Sequence, residues 1–211
     1  MIESRMAWRA FAGKCARSLC LSALCVLGCG GPDGEVHPQP KVTPVEGEPV
    51  GECGAVLRTY AGATATHLPE CSIIDYATSP PVFGEHFPSW AAYKTYDFPV
   101  PLGFLVHDLE HGAVVFFYDC PEGCSDEVQV VQDFIDALPA DPRCSSDVRV
   151  QVILVPRPKL GVRWAASSWG ASLTADCFDP EVFGQFYEDH VAKGPEDLCN
   201  QGVALTEDPC D

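Results

Sequence analysis

The residues best suited to chemistry in this chain are His107-Asp108-Leu109-Glu110-His111-Gly112, two imidazoles four positions apart with a carboxylate between them. On a helix, side chains at i and i+4 project from one face, close enough to share a cation. The spacing of apolar residues predicts a short helix over 101–111, with Gly112 stopping it just past its end. Leu102, Leu105, Val106 and Leu109 gather on one side of that helix, the side expected to pack on a sheet. His107 and His111 fall roughly opposite, with Glu110 at an intermediate angle beside His107. The pair is therefore not part of the apolar stripe. The plain alternative is two imidazoles on a solvated face.

Two further histidines sit in stiff surroundings. His86 lies in Pro80-Pro81-Val82-Phe83-Gly84-Glu85-His86-Phe87-Pro88, a loop able to hold a ring in place with little entropy loss, and His67 precedes Leu68-Pro69. Trp90 and Tyr93, just beyond His86, are candidates to line a pocket. Around these residues the chain resembles the bacterial domain of unknown function 3105 family, from about His67 to Glu196. The resemblance rests on the loop ending at Pro88 with Trp90 beyond it, His107-x-x-Glu110-His111-Gly112, Ser168-Trp169-Gly170, and Gly194-Pro195-Glu196. It implies that His67, His86, His107, His111 and Glu110 occupy the family's polar positions, a pattern that looks like a metal centre. It also implies an exported protein, often attached to a membrane, and it carries no established activity.

The candidate ligands are His86, His107 and His111, with His67 as a fourth and Glu110 as a neighbour that orients a ligand or acts as a base. Three or four imidazoles suit a divalent transition metal, zinc ahead of copper or iron, and match carboxylate-rich calcium sites poorly. Three histidines and a water make an open, catalytically usable site; four close it. A sharper reading follows from His-x-x-Glu-His, which resembles the inverzincin signature. Glu110 would then activate a zinc-bound water, with a distant carboxylate such as Glu188 or Asp189 as third ligand. Against it, Gly112 ends the helix at once and a strand follows. Another reading starts from Cys120-Pro121-Glu122-Gly123-Cys124, set between a strand and a helix as in thioredoxin-like redox sites. With His190 elsewhere it resembles copper-delivery proteins of the Sco type, although Pro121 and Gly123 favour a tight turn closed by a structural bridge.

The N-terminus reads as a targeting segment. Arg5, Arg9, Lys14 and Arg17 precede an apolar run from Leu19 to Gly28 that is too short to span a bilayer. It ends in Val26-Leu27-Gly28-Cys29, which resembles a bacterial lipobox, so residues 1–28 are expected to be cleaved and Cys29 acylated. Several acyl chains would anchor the product to a membrane. The mature chain then holds nine Lys+Arg against 29 Asp+Glu, a formal charge of −20. Such a surface repels phosphate backbones, and nucleic-acid binding is excluded on that ground. Eight cysteines follow Cys29, namely Cys53, Cys71, Cys120, Cys124, Cys144, Cys177, Cys199 and Cys210. In an exported chain an even number implies up to four disulfides, their pairing left open.

Residues 29–50, rich in Pro and Gly, read as a flexible tether, with His37 idle in it. Residues 51–211 suffice for a single α/β (α+β) domain with one core. Within it, 53–104 reads as mostly irregular. Strands are expected at 113–118, 148–155 and 163–172, the last antiparallel to the second, with helices at 125–138 and 179–193. Strand–helix–strand–strand–helix predicts a mixed sheet with helices packed on it. Trp164, Trp169, Phe183 and Phe186 are expected in the core.

Overall fold

A computed structural model describes residues 34–43, 45, 47–62 and 66–210. The leader at 1–28 and Cys29 lie outside the described residues. Gly34–Asp211 forms one compact unit. Its elements run β1 (Val36–Pro38), β2 (Glu48–Pro49), β3 (Val56–Thr59), β4 (Ile73–Asp75), α1 (Leu102–Glu110), β5 (Val114–Tyr118), α2 (Ser125–Ala137), β6 (Val152–Pro156), β7 (Trp164–Ser168), β8 (Ala171–Ala175) and α3 (Pro180–His190).

The main sheet has six strands in the order β2-β3-β8-β7-β5-β6, with β5 and β6 parallel and the other neighbours antiparallel. A mixed sheet with packed helices is thus what the strand and helix order implied. The strand expected over 163–172 is instead a hairpin of β7 and β8. Gly170 takes φ +79 at its tip, and the chain turns back where an extended residue would have carried it on. β7 does run opposite to β6, but β5 lies between them. The expected strand at 148–155 starts later, at Val152. Ahead of it Arg149 turns aside to donate to the carbonyl oxygens of Leu138 and Ile135, capping the end of α2.

Part of the stretch read as a tether carries strands. β1 pairs in parallel with β4, and β2 pairs with β3 at the edge of the main sheet. The region 53–104 likewise contains β3 and β4. These pieces are two to four residues long, too short for a period to show, and their partners supply the hydrogen bonds that make them strands.

Alternation along the strands splits the core in two. Val114, Phe116, Val152, Leu154, Trp164 and Leu173 face α2 and α3, meeting Val131, Phe183 and Phe186. Val115, Phe117, Ile153, Val155 and Ala165 face the other way, toward Phe104, Leu105 and Leu109 of α1 and toward Phe87, Tyr96 and Val100 of the preceding loop. Trp169, at the hairpin tip, is only half-buried against that second cluster. The loop also closes the open edge of β6, where Tyr96 donates from its backbone N–H to the Leu154 carbonyl at 2.8 Å.

All eight cysteines past residue 50 pair: Cys53–Cys177, Cys71–Cys210, Cys120–Cys124 and Cys144–Cys199. Three of them join residues 55 to 139 apart in sequence. In the chain-entropy model each of these contributes about 3–5 kcal/mol, whereas the four-residue Cys120–Cys124 link closes only a local turn. Among the described residues no helix is long and apolar enough to cross a membrane.

The chain after α3 is tied to the end of α1 by close backbone approach. A Cβ on Gly194 would stand 2.1 Å from the Glu110 carbonyl oxygen and 2.5 Å from the Gly112 nitrogen. Gly184, inside α3, is different: a Cβ there would meet Phe134 at an ordinary 3.5 Å. We therefore expect Gly194→Ala to destabilise the protein by about 1–3 kcal/mol. Gly184→Ala should stabilise it by about 0.5–1 kcal/mol through helix propensity. Urea denaturation of the two variants checks both signs, and a neutral Gly194→Ala would show that the 194–196 segment is free to move off the helix.

Candidate metal centre

α1 starts after Pro101 and ends where Gly112 adopts φ +90, one residue past the His111 C-cap. The helix is not half-solvated. Residues Gly103 to Glu110 are all buried, so the histidine side of the helix is buried too. The apolar stripe lies on the sheet, as its spacing implied. The opposite side is covered by the 82–101 loop and by the segment after α3, and the solvated-face alternative fails.

The cover brings the other histidines in. His86 is fully buried, and its backbone N–H donates to Thr66 (3.1 Å) while its carbonyl accepts from Leu68 (2.7 Å). This one-residue parallel bridge sets His67 beside His86. The ring centroids of His67, His86 and His107 stand 4.9 Å apart in all three pairings. Glu110 reaches into the triangle. Its Oε2 lies 2.9 Å from His86 Nε2 and 3.9 Å from the Nε2 of both His67 and His107. The ligand atoms of these four residues lie within 4.8 Å of one another. Four ligands held 2.0–2.1 Å from a tetrahedral zinc stand about 3.3 Å from each other, a spacing these distances bracket.

The tautomers are set by backbone. His86 Nδ1–H donates to the Gly84 carbonyl at 2.8 Å, and His107 Nδ1–H donates to the Phe87 carbonyl at 2.6 Å. With Nδ1 so engaged, each ring turns its Nε2 toward Glu110, and His86 Nε2 lies within hydrogen-bond distance of its carboxylate. Metal-binding histidines are oriented in this way, by a hydrogen bond from the ring nitrogen that does not ligate. His67 is the open side of the cluster, its side chain 53% exposed.

His111 falls outside the group of four. Its Nε2 is 3.1 Å from His107 Nε2 and 3.5 Å from the Glu196 carboxylate, and its Nδ1 is buried with no hydrogen-bond partner. Glu110, His111 and Glu196 form a second set of candidate ligands adjoining the first. The ring of Trp90 covers both helix histidines, with centroids 5.3 Å from His107 and 4.5 Å from His111. Tyr93 lies instead among the residues packed on the second core cluster. Neither set includes Glu188 or Asp189, the distant carboxylates considered as a third ligand. They project from α3, which packs on the opposite face of the sheet. His37 lies in β1 and His190 bonds within its own helix to the Phe186 carbonyl, at 2.9 Å. The Cys120–Cys124 bridge follows the far end of β5, a strand's length from Gly112.

Glu196 stands in the Gly194-Pro195-Glu196 motif, which by itself gives it no role. Its neighbours reveal one, since its backbone N–H donates to the Glu110 carbonyl at 2.9 Å. Asp108 follows His107 on the same helix. It is fully buried, with Oδ2 accepting from the Ala91 N–H at 3.1 Å and Oδ1 unpartnered. Burial raises its carboxyl well above the usual carboxylate range. No signal in the sequence separates this residue from an exposed helical aspartate.

The site thus defines a class: a disulfide-braced α/β domain built around a buried histidine–glutamate cluster. Within that class, the chain belongs to the family described as protein of unknown function (DUF3105), whose model matches residues 67–202. Neither the curated proteins nor the solved structures provide a match to the chain.

Burial lowers the pKa of His107, opposed by its bond to the Phe87 carbonyl, and brings His111 down to about 4, reinforced by the neighbouring imidazoles. Both rings therefore titrate lower in the folded chain than when unfolded, and on acidification the unfolded chain takes up protons first. For the metal-free chain we expect this part of the stability to be intact above about pH 6.5 and lost as pH falls toward 4. The loss is up to about 1.4 kcal/mol per pH unit for each ring. Urea midpoints at about pH 7.5, 6 and 5 check it, and substituting both histidines should flatten the profile.

Proposed function

We propose that the protein is an exported, membrane-anchored lipoprotein that binds a divalent transition metal, with His67, His86, His107 and Glu110 as ligands. One observation carries the reading. Three Nε2 atoms converge on a buried carboxylate oxygen, and two of the three rings have Nδ1 tied off by backbone carbonyls. The donor set of imidazoles and one carboxylate suits zinc ahead of copper or iron. Glu110 then acts as a ligand more readily than as a base, because its Oε2 already faces the three rings.

A hydrolytic role, the His-x-x-Glu-His reading, has less support. That signature asks both helix histidines to ligate one zinc with the glutamate standing back, and here the glutamate stands among the ligands while His111 turns to Glu196. The thiol reading has less again, with Cys120 and Cys124 joined at the end of β5 away from the histidines. Export is supported by the four disulfides, which persist in oxidising compartments. Anchoring rests on the Leu27-Gly28-Cys29 sequence.

Protein purified without chelator should carry stoichiometric metal by elemental analysis. His86→Ala and His107→Ala should each lower affinity at least about 100-fold, as loss of one of four ligands does. Undiminished affinity and stoichiometry in the double variant would overturn the assignment. Cys29→Ser should move the protein from the membrane to the soluble fraction after expression in a bacterial host. If it remains with the membrane, the anchor lies elsewhere.

A further inference from the structure

We infer that the cluster holds two cations, the second bound by Glu110, His111 and Glu196, with Glu110 as the bridging carboxylate. This rests on the metal reading above, and it follows from what His111 does beside an occupied first position. His107 has Nδ1–H committed to the Phe87 carbonyl, so its Nε2 carries the lone pair that ligates the first cation. His111 Nε2 lies 3.1 Å from that atom. If His111 carried its proton on Nε2, it would donate to His107 and take the ligand's lone pair away from the metal. In the ion-free protein His111 Nε2–H can make that donation. A first cation on His107 claims the acceptor lone pair, and the His111 proton moves to Nδ1. The freed His111 Nε2 lone pair then faces the His107 ring nitrogen on one side and the Glu196 carboxylate, 3.5 Å away, on the other. Three electron-rich atoms then converge with nothing positive between them. A second cation resolves that arrangement, and the exposed Glu196 balances its charge.

The placement of Glu196 is built into the fold. Three backbone hydrogen bonds bind its segment to the end of α1: Ala192 N–H to the Gly112 carbonyl (2.7 Å), Glu196 N–H to the Glu110 carbonyl (2.9 Å) and Leu198 N–H to the His111 carbonyl (3.4 Å). The Gln151 side chain braces the same corner, donating to the carbonyls of His111 and Leu198. These bonds satisfy helix-end carbonyls and at the same time hold the Glu196 carboxylate over His111. Glu110, buried between the two sets, belongs to both. A carboxylate bridge holds two cations about 3.5–4 Å apart, the spacing found in two-metal centres. Nitrogen and carboxylate donors at the second position suit zinc, manganese or iron. With the Glu196 side chain 53% exposed, the second cation is the one that exchanges with solvent and accepts a water or an anionic ligand.

The test uses the full-length chain, stripped with a chelator and titrated with zinc by calorimetry, with bound metal counted after desalting. Two equivalents are expected for the wild type. Glu196→Ala, at a half-exposed side chain whose loss leaves the core intact, should bind one equivalent with the affinity of the tighter site unchanged. Substituting Mn2+ gives a second readout, since spin coupling between two ions should vanish in Glu196→Ala. A single equivalent in the wild type, or two equivalents retained by Glu196→Ala, would overturn the second position and leave the first standing. No bound zinc at all would overturn both.

Discussion

Two hydrogen bonds decide what the cluster can be. His86 and His107 each give their Nδ1–H to a backbone carbonyl, and the two acceptors, Gly84 and Phe87, belong to one short turn of chain. An imidazole anchored in this way has one nitrogen left, and it presents a lone pair. The turn that bears the carbonyls is itself held firmly. Phe87 donates its backbone N–H to the Gly103 carbonyl and packs edge-on against Phe104, while Tyr76 donates to the Glu85 carbonyl at 2.7 Å. Gln39 reaches across from the N-terminal segment and pairs with Glu85 through both its side-chain amide and its carbonyl oxygen. A stretch of sequence with the composition of a linker thus helps fix the orientation of a buried ring.

The same constraint explains why the cluster is electrostatically unusual. Glu110 is buried, and the ion-pair partners it has among the described residues are the histidines His67, His86 and His107. A buried carboxylate needs a positive counterpart, and removing it from water unpaired costs several kcal/mol. Of these partners, His107 is a poor source of that charge, because burial lowers its pKa. Three ring nitrogens and a carboxylate oxygen thus crowd one largely buried corner. That combination is what a cation corrects, and the metal reading draws its force from it more than from the residue spacing in α1.

The sheet was legible because its central strands announce themselves. Ala113 to Tyr118 is an unbroken run of apolar residues, and only burial on both faces accounts for such a run. α2 and α3 were legible for a similar reason, their apolar positions recurring at helical spacing, with Asp179 and Pro180 marking the start of α3. The edge strands were not legible. Glu48–Pro49 and Val36–Pro38 have no periodicity and exist because a neighbour pairs with them. At the site, the histidine on the stiff loop and the two on the helix stood out by type and setting. The position of His111 did not, since i and i+4 spacing says that two rings share a face but not that one of them turns toward a carboxylate 85 residues further on. Glu196 owes its place to Gly194, whose missing side chain admits the backbone of Glu110, and to bonds no local pattern encodes.

The core and the disulfides brace the fold independently of any cation. Apolar clusters fill both faces of the sheet, and three long-range disulfides close the chain on itself. Small zinc domains differ in this respect, because the metal there supplies what an inadequate core cannot. Here the candidate ligands are positioned by backbone bonds and packing, so under the proposed metal reading the free energy of binding is available to the ion itself. Under the proposed metal reading, a cluster with exposed residues at two corners, His67 on one and Glu196 on the other, suits ions that enter and leave rather than one sealed in during folding.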